Sequence, residues 1–140
     1  MLLIGPKFVP GVVPLIEGAK RTIDIIIFDW RLYKGQTNHP VMRLTAALCL
    51  AVARGVRVRV LGSNGLTRAQ LETMGIKTKQ LFSNKLVHAK IMCLDGNIAV
   101  IGSHNYTQSA FSRNLEVSLV VDLGGAAVHF ESYFNNLWGV

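Results

Sequence analysis

The sequence predicts an α/β domain in which a mixed β-sheet is sandwiched between helices. Short β-branched runs alternate with longer stretches of helical periodicity in the first half of the chain. An aspartate–glycine pair then separates two adjacent β-rich runs, the mark of a tight hairpin. Strand–helix alternation builds parallel neighbours and a hairpin builds antiparallel ones, so the sheet should contain both. At 140 residues, half of them hydrophobic and 16% charged, residues 1–140 make a single domain with a real core, not a disordered tail.

Each element has its own justification. A first helix at about Gly11 to Lys20 is suggested by Val12, Leu15, Ile16 and Ala19, which fall on one face. Thr22 to Trp30 holds Ile23, Ile25, Ile26, Ile27 and Phe28, a nearly continuous run of the kind found in strands covered on both faces. A polar loop from Lys34 to His39 leads into a helix from Pro40 to Arg54, with Gly55 suited to its left-handed cap. Val56 to Leu61 reads as a strand ended by Ser63-Asn64-Gly65, and Leu66 to Met74 as a short helix stopped by Gly75. Ile76 to Phe82 is the next predicted strand. Leu86 to Leu94 and Ile98 to Ile101 form the hairpin around Asp95-Gly96-Asn97, and Leu115 to Val121 is a further strand. Gly124 to Leu137 closes as a helix with Ala127, Phe130, Phe134 and Leu137 on one stripe.

Composition narrows the function classes. Fifteen Lys and Arg against eight Asp and Glu leave a net charge of +7, which favours a polyanionic partner such as nucleic acid or an acidic membrane surface. Cys49 and Cys93 each lie in an apolar run and read as core hydrophobes rather than a disulfide framework. No metal-ligand spacing of the CxxC or HExxH kind appears. Val41 to Leu61 is interrupted by Arg43, Arg54, Arg57 and Arg59, which rules it out as a membrane span. Met1 to Ile4 is too short for a signal-peptide core, so a cytoplasmic location is the default expectation, with a leader removed beforehand as the alternative.

The chemistry concentrates between His88 and Glu116. On a strand, His88 and Lys90 share one face while Val87, Ala89, Ile91 and Cys93 take the other. A lysine on such a strand needs an anionic partner, so this face either opens onto an anion pocket or belongs to a solvated edge strand. Gly102-Ser103-His104-Asn105 then supplies hydroxyl and amide donors in a loop, and Glu116 opens a further strand. Lys90, Ser103 and Asn105 suit the negative charge that builds on the oxygens of a phosphodiester under attack. Glu116 could accept a hydrogen bond from one ring nitrogen of His88 and leave the other free to attack.

These residues resemble the signature of the phospholipase D superfamily: His-x-Lys, four residues, Asp, six residues, Gly-Ser-x-Asn. The chain reads His88-Ala89-Lys90, Asp95 and Gly102-Ser103-His104-Asn105 at matching spacing, followed by Asn114-Leu115-Glu116. The resemblance extends more loosely to the Ala53 to Val60 segment. It implies the phospholipase D/nuclease fold and a catalytic set of His88, Lys90, Asp95, Asn105 and Glu116. In that set His88 attacks phosphorus to form a phosphohistidine, and Lys90 and Asn105 hold the phosphate with help from Ser103. Glu116 orients His88, and Asp95, from its Asp-Gly context, is expected mainly to make a structural hydrogen bond. No metal or cofactor is required. Superfamily members usually carry the signature twice. This chain carries it once, since His39, His104 and His129 lack the accompanying Lys and Asn. The resemblance therefore implies a two-fold homodimer sharing one active site, in which the second His88 is the general acid.

Other residues admit two readings. His104 sits at a variable signature position and suits packing or the rim of the site. Trp30, Arg31, Tyr33 and Lys34 follow a strand end, where Arg31 and Lys34 would bind backbone phosphates and the rings would stack a base, or they form a solvated loop. Phe134 and Trp138 suit core anchors. Lys77, Lys79 and Lys85 either widen a positive mouth or are ordinary solvated lysines. The leading expectation is a nuclease with little sequence preference. The alternative is a phospholipid hydrolase or phosphatidyl transferase, for which Leu81-Phe82 beside Lys85 is the only weak membrane contact. A non-catalytic nucleic-acid binder has no need for a His–Glu pair beside a phosphate clamp.

Overall fold

The Asp95-Gly96 turn organises the sheet. Asp95 and Gly96 both have positive φ, 51° and 78°, and Asn97 N–H donates to Leu94 O at 3.2 Å. Two left-handed central residues make a type I′ turn, whose twist matches that of the strands it joins. These strands are β5 (Ile91–Leu94) and β6 (Ile98–Gly102), paired antiparallel from Ile91↔Ile101 to Leu94↔Ile98. In the computed structural model, which describes residues 1–81 and 84–139, they sit at the centre of a seven-stranded sheet of order β1-β7-β6-β5-β2-β3-β4.

On one side of this hairpin β7 (Val117–Asp122) and β1 (Leu2–Ile4) continue antiparallel. On the other, β2 (Thr22–Ile27) pairs antiparallel with β5 and parallel with β3 (Arg57–Gly62), which pairs parallel with β4 (Lys77–Lys79). The parallel half is joined by helices α2 (Pro40–Ala53) and α3 (Gly65–Thr73). The first turn of α2 is capped by His39 Nδ1, which accepts from Val41 N–H at 3.2 Å, and the helix ends at Gly55 with φ 94°. The expected mixed α/β sheet is therefore present.

Alternation along β2 feeds two cores. Ile23, Ile25 and Ile27 join the larger cluster beneath α1 (Phe8–Gly18) and α2, with Leu44, Leu48, Val58 and Val60. Ile26 faces α5 (Ala127–Trp138), where Phe134 is fully buried against Ile26 and Leu61. Asp24 shares that second face and forms a bidentate ion pair with Arg59 at 2.8 and 2.9 Å. The Arg59 guanidinium lies over the Phe134 ring at 4.7 Å. Phe134 is thus the core anchor expected, and Trp138 packs beside it.

Helix α5 covers only half of its face of the sheet. On the β6-β7-β1 half, Ile101, Val117, Leu119, Leu2 and Ile4 are between 43% and 57% exposed. Register places Leu2 opposite Leu119, Ile4 opposite Val117, and Leu119 opposite Ile101, so they form one continuous apolar surface.

Several expected boundaries move. The strand predicted over Leu86 to Leu94 begins only at Ile91, where pairing with Ile26 starts, so residues 86–90 run irregularly. The strand predicted to Trp30 stops at Ile27. Trp30 instead makes an isolated parallel bridge to Tyr106 and is fully buried. The strand predicted over Ile76 to Phe82 is the short β4, and Phe82 lies outside the described residues. Strand β1 and the one-turn helix α4 (Gln108–Ser112), capped by Thr107, were not expected. Cys93 is buried and Cys49 half-buried, both free thiols. Among the described residues no helix is long and apolar enough to cross a membrane.

Candidate active site

Gly102 ends β6 where the chain passes closest to β7. A Cβ there would run into the Val117 carbonyl oxygen and Ser118, so only glycine lets the following loop turn towards the sheet end. Ser103 locks this turn: its N–H donates to Val117 O at 3.0 Å and its Oγ accepts from Val117 N–H at 3.1 Å. Asn105 Oδ1 accepts the Asp29 N–H at 3.1 Å, which commits its carbonyl and leaves its NH₂ to donate. Tyr106 N–H bonds Asp29 O and Arg31 N–H bonds Tyr106 O, so the loop is stitched to the end of β2.

His104, between them, faces the opposite way. It is 1% exposed, with Nδ1 2.8 Å from Ser118 Oγ and Nε2 3.0 Å from Gly5 O. Its ring lies 4.6 Å from that of Phe8. Burial lowers its pKa against the opposing pull of the Gly5 carbonyl and Glu116, so the neutral ring accepts from Ser118 and donates to Gly5. His104 packs and takes no part in the pocket.

An open pocket of about 590 Å³ collects His88, Lys90, Ser103, Asn105 and Glu116, together with Ile101 and Gly102. Five of the eight residues expected in the site therefore converge on one space. Lys90 Nζ donates to His88 O at 2.7 Å and stands 3.3 and 3.1 Å from the two ring nitrogens. Distances this even place the ammonium against the ring rather than in line with one lone pair. Burial lowers the Lys90 pKa, partly offset by the Glu116 charge. Glu116 Oε2 is buried and has no hydrogen-bond partner among the described residues. The expected Glu116–His88 hydrogen bond is not formed among the described residues: the carboxylate acts on Lys90 through its charge, and the His88 ring lies instead 5.2 Å from that of Phe28.

Other expected residues lie outside this pocket. Asp95 follows the far end of β5 and does not line the pocket; its carboxylate accepts N–H bonds from Lys20, Arg21 and Thr22 at 2.8, 2.7 and 3.0 Å. Burial would raise this carboxyl, but those N–H groups and the Arg21 charge outweigh it and hold its pKa below the ordinary value. These are the structural hydrogen bonds expected of it from the Asp-Gly context. Arg31 and Lys34 do not line the pocket either; Arg31 is exposed and pairs with Asp29 at 3.1 Å. Trp30 cannot stack a base because it is in the core, and the Tyr33 ring stacks on His39. Lys79 donates to the Trp138 carbonyl instead of widening the mouth.

Phe28 and Asp29 were missed. Phe28 sits in an apolar run that reads as core, yet β2 ends one residue earlier and turns the ring out to 39% exposure beside His88. A signal existed in their place just past the carboxyl end of a parallel strand, where ligand crevices form.

The model of the family described as cardiolipin synthase, PLD-like domain, matches residues 12–138. The chain is 28% identical over 127 residues to mitochondrial cardiolipin hydrolase of Xenopus laevis, covering 86% of this chain and 56% of that protein. It is 32% identical over 103 residues to a phospholipase D of Rickettsia conorii, covering 66% and 48% respectively. The chain thus spans about half the length of these curated relatives. Among solved structures, a phospholipase D family member, Nuc from Salmonella typhimurium, superposes with a TM-score of 0.80 at 21% identity over 99% of this chain and 94% of its own. NucT from Helicobacter pylori does so with a TM-score of 0.74 at 20% identity and the same coverage. At these identities the two structures speak for the fold. With the family model spanning nearly the whole chain and His88, Lys90, Ser103, Asn105 and Glu116 gathered in one pocket, this protein belongs to the phospholipase D superfamily.

Proposed function

We propose that the protein hydrolyses phosphodiester bonds through a phosphohistidine at His88, without a metal, in a site completed by a second copy of the chain, and that nucleic acid is the substrate. The observation that carries this reading is the meeting of His88, Lys90, Ser103 and Asn105 around one open pocket. A ring nitrogen of His88 attacks phosphorus, the bond to the leaving oxygen breaks, and that oxygen takes a proton from the imidazolium of the second copy's His88. Water then attacks the phosphohistidine, gives its proton to the same second imidazole, and the P–N bond breaks. Lys90 and the Asn105 NH₂ neutralise the charge that grows on the non-bridging oxygens. A bound phosphate draws the Lys90 ammonium off the His88 ring, and Glu116 is the pocket carboxylate available to the freed ring N–H.

The second copy is supported by the uncovered apolar half of the sheet, which borders the pocket at Ile101. A two-fold axis there would bury it and set two imidazoles on opposite sides of one phosphate. The nucleic-acid reading is supported by the +7 charge. A phospholipid substrate is the second reading. A groove of about 350 Å³ lined by Ile26, Leu86, Val87, Tyr133 and Leu137 opens beside His88, and relatives carry the names cardiolipin hydrolase and phospholipase D.

The test is cleavage of plasmid, short RNA and cardiolipin vesicles in excess EDTA, with rapid acid quenching to trap labelled enzyme. We expect strand cleavage, and a covalent phosphoryl adduct lost in His88→Ala. Chelator-sensitive activity refutes the mechanism, and hydrolysis of vesicles alone selects the second reading.

A further inference from the structure

The ring of Phe28 that touches His88 also lines a second cavity, of about 200 Å³, with Ser63, Gln80, Leu86 and Val87. We propose that this cavity takes one unstacked nucleobase next to the scissile phosphate, held on the face of Phe28, and that it makes the enzyme prefer single strands. The inference rests on the nucleic-acid reading above and adds to it a base subsite and a strand preference.

Four observations carry it. Phe28 is 39% exposed at the end of β2, although it belongs to a run of otherwise buried residues. Its centroid lies 5.2 Å from that of His88, so a base resting on it belongs to a nucleotide adjoining the attacked phosphorus. The cavity is apolar along Leu86 and Val87 and polar at Gln80, Ser63 and Lys85, the mixture that a flat base with a polar edge requires. Gln80 and Ser63 are also preset. Arg68 Nη2 donates to Gln80 Oε1 at 2.7 Å, leaving the Gln80 NH₂ to donate, and Ser63 Oγ donates to Trp30 O at 3.2 Å, leaving its lone pairs to accept. Stacking on the face of Phe28 is open to any base, whatever polar edge that base presents. A paired base must first leave its duplex stack to enter, so duplex pays an unstacking cost that a single strand does not.

A labelled single strand with one baseless sugar at its centre tests this, because cuts beside the baseless sugar and beside intact neighbours are read on the same molecule. Base–aromatic stacking predicts that the wild type cuts beside an intact nucleotide about tenfold faster than beside the baseless one. It also predicts a duplex of the same sequence cut slower by a similar factor. In Phe28→Leu, which keeps apolar bulk against His88, the ratio should fall to near one, and Phe28→Trp should restore it. The ratio is internal, so general loss of activity or of folded protein cancels. Equal cutting at both steps by the wild type, or an unchanged ratio in Phe28→Leu, overturns the base subsite while leaving the phosphodiesterase reading intact. A wild type that hydrolyses phospholipid vesicles and no strand overturns both.

Discussion

Replacing Asp95 separates its structural role from a catalytic one. Its carboxylate receives N–H bonds from Lys20, Arg21 and Thr22 that tie the β5–β6 turn to the start of β2. Each such bond at a partly exposed site contributes roughly 0.5–1 kcal/mol net, so truncation removes about 2 kcal/mol. Asp95→Ala also places a Cβ residue at φ 51° without the local polar bonding that lets Asp tolerate that region, a further cost of about 1 kcal/mol. The sum of about 3 kcal/mol corresponds to a fall of roughly 10 °C in midpoint for a domain of this size. Asp95→Asn keeps the turn geometry and one acceptor oxygen and should lose about half as much. The sign of the pH dependence follows from the depressed folded pKa: the carboxylate's contribution is present above the unfolded value, near 4, and is lost as pH falls through the lower folded value. The gap between wild type and Asp95→Asn should therefore be full at pH 7 and close in acid. Thermal unfolding followed by circular dichroism, alongside turnover measured well below the midpoint, checks this. An unchanged midpoint with turnover reduced a hundredfold would refute the structural assignment.

Four further outcomes are expected. Lys90→Met should lower kcat/KM by about 10²-fold and reduce the salt dependence of strand binding by about one phosphate contact. Because burial lowers the Lys90 pKa, wild-type activity should decline at high pH as the ammonium titrates below its ordinary value, and Lys90→Arg should move that decline upward. Leu119→Asp, on the uncovered sheet half, should give monomers by sizing with turnover lost in parallel and the fold kept; full activity as a monomer would remove the second copy from the mechanism. Arg59→Met leaves Asp24 beneath α5 without its bidentate partner and should cost about 3 kcal/mol, part of it recovered in the double variant with Asp24→Asn by denaturant titration.

Much of this protein is legible in local sequence. Thr22 to Ile27, Pro40 to Ala53 and the Asp95-Gly96 hairpin stand close to where periodicity and turn chemistry place them, because each rests on nearby backbone preference. Strand β1 was not legible, because three residues carry no period and are ordered by pairing with β7 and by burial of Leu3 in the core. Residues 86–90 were misread as strand for the same reason: their alternation suits one, but β2 turns away after Ile27 and leaves them no partner on that side.

The sequence by itself determined the chemical inventory, since the spacing from His88 to Glu116 states which groups are available. Only the tertiary structure decided which of them meet. It sends Asp95 to the opposite end of β5, buries His104 and Trp30, brings Lys90 against the His88 ring, and turns Phe28 outward beside it. Spacing along a chain records side-chain type and local direction, whereas proximity across a sheet depends on where neighbouring strands end, which is set by long-range pairing.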